Sequence, residues 1–168
     1  KSADEYTKYY ESLPFTLNEP KDFQKVLILE DEKGIYLGFI NKQDKETIRA
    51  NRHERDDEMA NADKAGLAID FDGDGLAAYA FTVSAGGSIA DGIYRNENEV
   101  NYDWDADWKS GVFIDQDYWY AEMFIPWSIA PMKAVNGDFR DVKLSFWRLL
   151  AAEWLSLIHI SEPTRLEL

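Results

Sequence analysis

The sequence has no cysteine, which excludes disulfide frameworks, thiolate metal sites and cysteine nucleophiles, though it does not report a redox compartment. Histidine is almost as scarce, with 2 in 168 residues. His53 is the one outside the C-terminal tail, so a histidine metal centre or a Ser-His-Asp nucleophile would rest on a single side chain. Basic residues are outnumbered, 18 Lys and Arg against 32 Asp and Glu, for a net charge of -14. Nucleic acid needs clustered cations to displace phosphate counterions, and no such cluster exists; an anionic membrane surface is disfavoured for the same reason. No apolar run reaches the length of a membrane-spanning helix, so membrane insertion of this domain is not expected. There is no visible signal peptide, no internal repeat and no low-complexity tract; the chain opens at Lys1 and reads as a mature or trimmed form.

What the chain does hold is hydrophobic and aromatic mass. Hydrophobic residues make up 45% of it, with 6 Trp, 9 Tyr and 9 Phe. That is a globular composition, at a length that suits one domain. Some aromatics fill a core. A sugar-binding surface would use others, because the apolar faces of pyranose rings stack on flat side chains.

The periodicity is β. Residues 1–22 read as an irregular lead-in with a short helix. Two runs, 25–30 and 35–40, flank the turn Asp31-Glu32-Lys33-Gly34; Ile35, Leu37 and Phe39 alternate onto one face, so the pair reads as a hairpin. Residues 42–64 are highly charged and read as one long loop, a place where a β scaffold often carries function. Further strands are expected at 67–71, 79–83, 89–94, 109–114, 118–125 and 142–149, with turns at 73–75, 85–87, 115–117 and 136–138. About eight short strands with few helix signals predict an all-β fold, an antiparallel sandwich of jelly-roll or immunoglobulin-like architecture with one long charged loop.

A set of motifs from 26 to 149 resembles the family 9 carbohydrate-binding-module-like fold. They are Gly-Ile-Tyr-Leu-Gly-Phe at 34–39, Arg55-Asp56, Leu-Ala-Ile-Asp-Phe-Asp at 67–72 and Ala-Tyr-Ala-Phe-Thr-Val at 78–83. Gly87, Asp91, Trp104-Asp105-Ala106-Asp107-Trp108 and Trp-Tyr-Ala-Glu-Met-Phe-Ile-Pro at 119–126 follow. The version most similar stands at the start of large exported bacterial proteins of unknown function. The resemblance implies a sugar-binding sandwich that clamps a ring with aromatic side chains, works outside the cytoplasm and often binds calcium. The usual opening strand, with an Ile-Asp-Gly signature, is not evident.

Several constellations carry candidate chemistry. Asp70, Asp72 and Asp74, interleaved with Gly73 and Gly75, open like a calcium loop; the alternative is a plain acidic hairpin turn. Trp104, Asp105 and Trp108 suit a rim where carboxylates accept sugar hydroxyls beside an indole, or a plug at the sandwich end. Arg55 offers paired donors to sugar hydroxyls, or internal salt bridges. Tyr94 and Trp127, at strand ends, complete the expected ligand-binding set. Alternation puts Trp119 in the core and Tyr118, Tyr120 and Glu122 on the other face; Trp147 covers that face of its own strand or forms a platform. Glu122 is the best candidate for a buried acid, with a structural hydrogen bond.

Residues 155–165 resemble a translated sequencing adaptor, and Leu166-Glu167 a cloning scar. That reading makes 1–154 the domain and 155–168 a non-native tail on a gene from shotgun, metagenomic sequencing, with a downstream domain lost. The function expected is non-catalytic recognition of oligo- or polysaccharide. The rivals are an interaction domain of a larger exported or outer-membrane protein and, behind both, a glycosidase, which would need two convergent acids.

Overall fold

The computed structural model describes residues 2–13, 15–96, 99–134, 137, 139–153, 155–160 and 164–167. Trp154, the expected domain boundary, Asn136 and Asp138 of an expected turn, and tail residues 161–163 lie outside the described residues.

The strands in chain order are β1 (Asp4–Tyr6), β2 (Tyr10–Leu13), β3 (Gln24–Glu30), β4 (Gly34–Lys42), β5 (Lys64–Asp70), β6 (Tyr79–Ser84) and β7 (Ile89–Asn96). Then come β8 (Glu99–Asn101), β9 (Lys109–Asp115), β10 (Tyr118–Pro126), β11 (Phe139–Leu150), β12 (Leu155–Ile160) and β13 (Thr164–Glu167). They form two antiparallel sheets. The smaller runs β1-β3-β4-β10-β9; the larger runs β2-β12-β11-β5-β6-β7-β8, with β13 also on β11. The expected antiparallel β-sandwich is what the chain forms.

Period-2 alternation builds the core. On β10, Trp119, Ala121, Met123 and Ile125 are buried, and on β4 Ile35, Leu37 and Phe39 face the same way. Leu67, Ile69, Phe81, Leu144 and Phe146 meet them from the large sheet. Each such side chain, fully buried, stabilises the fold by about 1.5–3 kcal/mol. The lead-in differs from expectation. It is not helical: β1 pairs β3, and β2 pairs β12 from the far end of the chain. Residues 155–160 pair with β11 as β12, and Leu157 is fully buried.

The charged segment 42–64 is the expected loop, opened by a short 3-10 turn at Lys45–Thr47. Buried Asp63 ties it to the fold, accepting from Gln43 Nε2 at 2.7 Å, the Arg49 amide at 2.8 Å and the Ala151 amide at 2.7 Å. Glu122, expected buried, is exposed. The alternation that sends Trp119 and Met123 inward sends the residues between them outward.

Candidate functional site

At one end of the sandwich, Arg55 gathers acids. Its Nη2 pairs with Asp91, which is fully buried, and its Nε lies 2.7 Å from Asp105 and 3.5 Å from Asp56. Asp91 also accepts the Ala106 amide at 2.7 Å, and Asp56 accepts the Asp91 amide at 3.0 Å. Burial pushes the Asp56 carboxyl above its ordinary range, and the charge of Asp91 adds to the effect. This latch fastens the charged loop and the 103–108 loop to β7. The donors expected to meet a ligand face acids of the chain itself.

The tryptophans of that end point inward. Trp108 is 6% exposed and meets Phe81 edge-on at 5.4 Å. Half-buried Trp104 packs on Tyr79 at 5.1 Å. Trp127 packs on the core and donates its Nε1 hydrogen to the Asp31 carbonyl at 2.8 Å.

The acids at 70, 72 and 74 share one turn, opened by positive φ at Gly73 (66°) and Gly75 (78°). Each faces a donor of the protein. Asp70 accepts the amides of Asp72, Gly73 and Gly75 at 3.1, 2.9 and 2.6 Å. Asp72 accepts from Arg140 Nη1 at 2.8 Å and the Lys133 amide at 2.9 Å, and Asp74 pairs with the Lys133 ammonium. That hydrogen bond holds the Asp74 carboxyl below its usual range. Among the described residues no group of three or more His, Asp or Glu converges as a metal site would.

A different surface has the make-up of a binding site. On the outer face of the large sheet, positions that would ordinarily be polar are small: Gly66 and Ala68 on β5, Ala80 and Thr82 on β6, Ala90 and Gly92 on β7. Of these, Ala68, Ala80 and Thr82 floor a furrow, while Val100 and Asn101 cover Gly92. The Trp147 indole lies over Gly66, where an added Cβ would meet its ring at 2.5 Å. Across the floor stand Tyr94, Val100, Tyr102 and Glu58. Two hollows of about 330 and 570 Å³ share Ala68, Tyr94, Ser145 and Ile158, so the furrow is continuous from Glu58 to Leu76.

Its polar groups are held in place. Tyr102 donates its hydroxyl to Glu58, and the Lys64 ammonium donates to the carbonyls of Asp57 (3.1 Å) and Glu58 (2.6 Å). Burial raises the Glu58 carboxyl, against the pull of Lys64. Burial, then the charge of Glu58, raises the Tyr94 phenol, keeping it a hydrogen-bond donor into alkaline solution. Of the six expected ligand-binding residues, Tyr94 alone lies in this furrow. Trp147 was open to reading as a platform; Tyr102 and the small floor were missed. The signal was there: Ala-Gly-Leu-Ala-Ile, Tyr-Ala-Phe-Thr-Val and Ile-Ala-Asp-Gly-Ile alternate large and small, where a solvated face alternates large and polar.

Fold and furrow together define a two-sheet antiparallel sandwich domain whose large sheet carries an aromatic-walled furrow on its outer face. The chain has the fold of the family 9 carbohydrate-binding modules. It is similar to a protein of Bacteroides uniformis ATCC 8492 proposed to bind carbohydrate, with a TM-score of 0.69 and 13% identity over 93% of this chain and 76% of that one. It is also similar to a family 9 module from Caldicellulosiruptor kristjanssonii in complex with cellotriose: TM-score 0.60, 12% identity, 94% of this chain and 72% of that one. A glucose complex of a family 9 module from the same organism gives a TM-score of 0.63 and 11% identity over 98% of this chain and 83% of that one. No family model matches the chain, and neither does any curated protein. Among the described residues no helix is long and apolar enough to cross a membrane.

Proposed function

We propose that this domain is a non-catalytic carbohydrate-binding module, from a protein working outside the cytoplasm, and that the large-sheet furrow is its binding face. The observation that carries the reading is the furrow: a floor of alanine and threonine between Trp147 and the group Tyr94, Tyr102 and Glu58. Small floor residues let a ring approach the sheet. The aromatic walls offer flat apolar faces to its C–H surface, and Glu58 accepts hydrogen bonds from its hydroxyls. Glu58 is the one carboxylate lining the furrow among the described residues, whereas glycosidases use a pair. Residues 155–168 stand, in this reading, where a native strand would, so Ile158 is kept out of the binding set.

The test is calorimetric titration of the domain with glucose, cellotriose and a panel of soluble plant and algal oligosaccharides. Saturable binding that weakens about tenfold in Tyr94→Ala, a change of about 1.4 kcal/mol, supports the reading. A flat trace across the panel overturns it in favour of an interaction domain.

A further inference from the structure

The small sheet has an open face of its own, and its register is unusual. Across four strands one outward row reads Leu27, Gly38, Glu122, Gly111. The next row on one side is Leu29, Tyr36, Phe124, Lys109; on the other it is Lys25, Ile40, Tyr120, Phe113. A low central row between two aromatic rows is a trough crossing the strands.

The glycines are what make it low. Neither Gly38 nor Gly111 has a positive φ, so the backbone does not require glycine there. A Cβ at Gly111 would meet nothing within 4 Å, and one at Gly38 only the Leu27 Cβ at 3.8 Å, so packing does not require it either. Glycine inside a strand weakens pairing and marks places where a ligand or another backbone approaches closely. Among the described residues outside these four strands, only Ala3 lines the trough. The walls are paired rings: Tyr36 with Phe124 at 4.8 Å, and Phe113 with Tyr120 at 6.2 Å and 29°. Two hollows of about 460 and 470 Å³ meet at Gly111 and Glu122. Glu122 stands exposed between them and engages none of the described residues in a hydrogen bond or ion pair.

We propose that this trough is a second binding site, for a neutral sugar ring. The class of ligand rests on the reading above; the location does not. A lipid tail or an apolar helix would bury the Glu122 charge without a partner. A peptide strand could pair with the free edge of β9 but not across the trough floor, because β4 and β10 are paired on both sides. A second copy of the chain, or an acidic polymer, meets a net charge of -14. A sugar ring uses what is present: flat apolar walls, an open floor, and the carboxylates of Glu122 and Asp115 as acceptors for its hydroxyls.

The experiment is amide chemical-shift mapping of the 15N-labelled domain during titration with cellotriose and with glucose. Wild type, Gly111→Leu, Phe113→Ala and Tyr94→Ala are compared. The expected result is two groups of saturable shifts, one around Ala68, Ala80 and Tyr94 and one around Gly38, Gly111 and Glu122. Gly111→Leu and Phe113→Ala each weaken the second group at least tenfold and leave the first unchanged; Tyr94→Ala does the reverse. Unshifted amides elsewhere report that each variant is folded. Shifts confined to the large sheet overturn the second site and leave the first standing. Shifts confined to the small sheet support the second site and overturn the furrow. No shifts with either sugar overturn both.

Discussion

At the loop end of the sandwich, one guanidinium meets three carboxylates: Arg55 with Asp56, Asp91 and Asp105. On the outer face of the large sheet, Glu58 and Tyr94 stand at the rim of a floor made of alanine and threonine. Both regions combine aromatic and charged residues near the same strands, yet they use them in opposite ways. At the loop end the charges face each other and the tryptophans face the core, which fixes loop conformation. On the sheet face, the absence of bulk does the work and polar groups are left at a solvent-open rim. Dense charge marks internal fastening in this fold, while a run of small outward residues marks room for a guest.

That contrast can be broken by separating stability from binding. Asp91→Ala removes the buried partner of Arg55 and of the Ala106 amide. Breaking a buried pair costs about 3–5 kcal/mol, and the partial exposure of Arg55 (37%) lowers the expectation to about 2–3 kcal/mol. Urea unfolding should show that loss, with sugar affinity unchanged in the folded protein; an affinity loss would place the latch in the binding site. Ala68→Phe should do the converse, weakening binding about tenfold, or about 1.4 kcal/mol, by filling the furrow.

A smaller effect is expected on the small sheet. Gly111→Val should raise stability by about 0.5–1 kcal/mol, since it restores strand propensity where nothing opposes a side chain. A destabilised variant would mean that Gly111 has a structural task. The furrow should also respond to pH. Burial raises the Glu58 carboxyl above 4.5, so protonation favours the folded state. Its stability contribution is present below 4.5 and lost as pH rises through the raised value. Binding runs the other way: affinity should fall as pH drops through that value, because a protonated carboxyl loses acceptor strength. Glu58→Gln should flatten that dependence, and an unchanged profile would remove Glu58 from the contact. The smallest effect belongs to calcium. With Asp72 and Asp74 paired to Arg140 and Lys133, melting in calcium and in chelator should coincide. A higher melting temperature in calcium would mean that those cations yield to the metal.

The fold was largely legible in the sequence. Alternation in Ile35-Leu37-Phe39 and Trp119-Ala121-Met123 placed core faces correctly, because burial on one side of a strand leaves a period of two. β1 and β2 were not legible: each is short, and β2 pairs residues more than 140 positions away. Local pattern carries no signal for that. The site was less legible still. Trp104, Trp108, Arg55 and Asp105 drew attention through residue type, but type does not say whether a group faces solvent or its own chain. Alternation placed Glu122 on the face opposite Trp119, but only the structure shows that this face is open to solvent. Ala68 and Ala80 left a trace in the alternation of large and small residues, whereas Gly38 and Gly111 become visible only when register lines them up across a sheet.

The central claim is that the large-sheet furrow binds sugar. Titrating cellotriose into wild type, Tyr94→Ala and Ala68→Phe by calorimetry tests it most directly. The account predicts saturable binding in the micromolar-to-millimolar range for wild type and at least a tenfold loss in both variants. Wild-type affinity retained by both variants would contradict it.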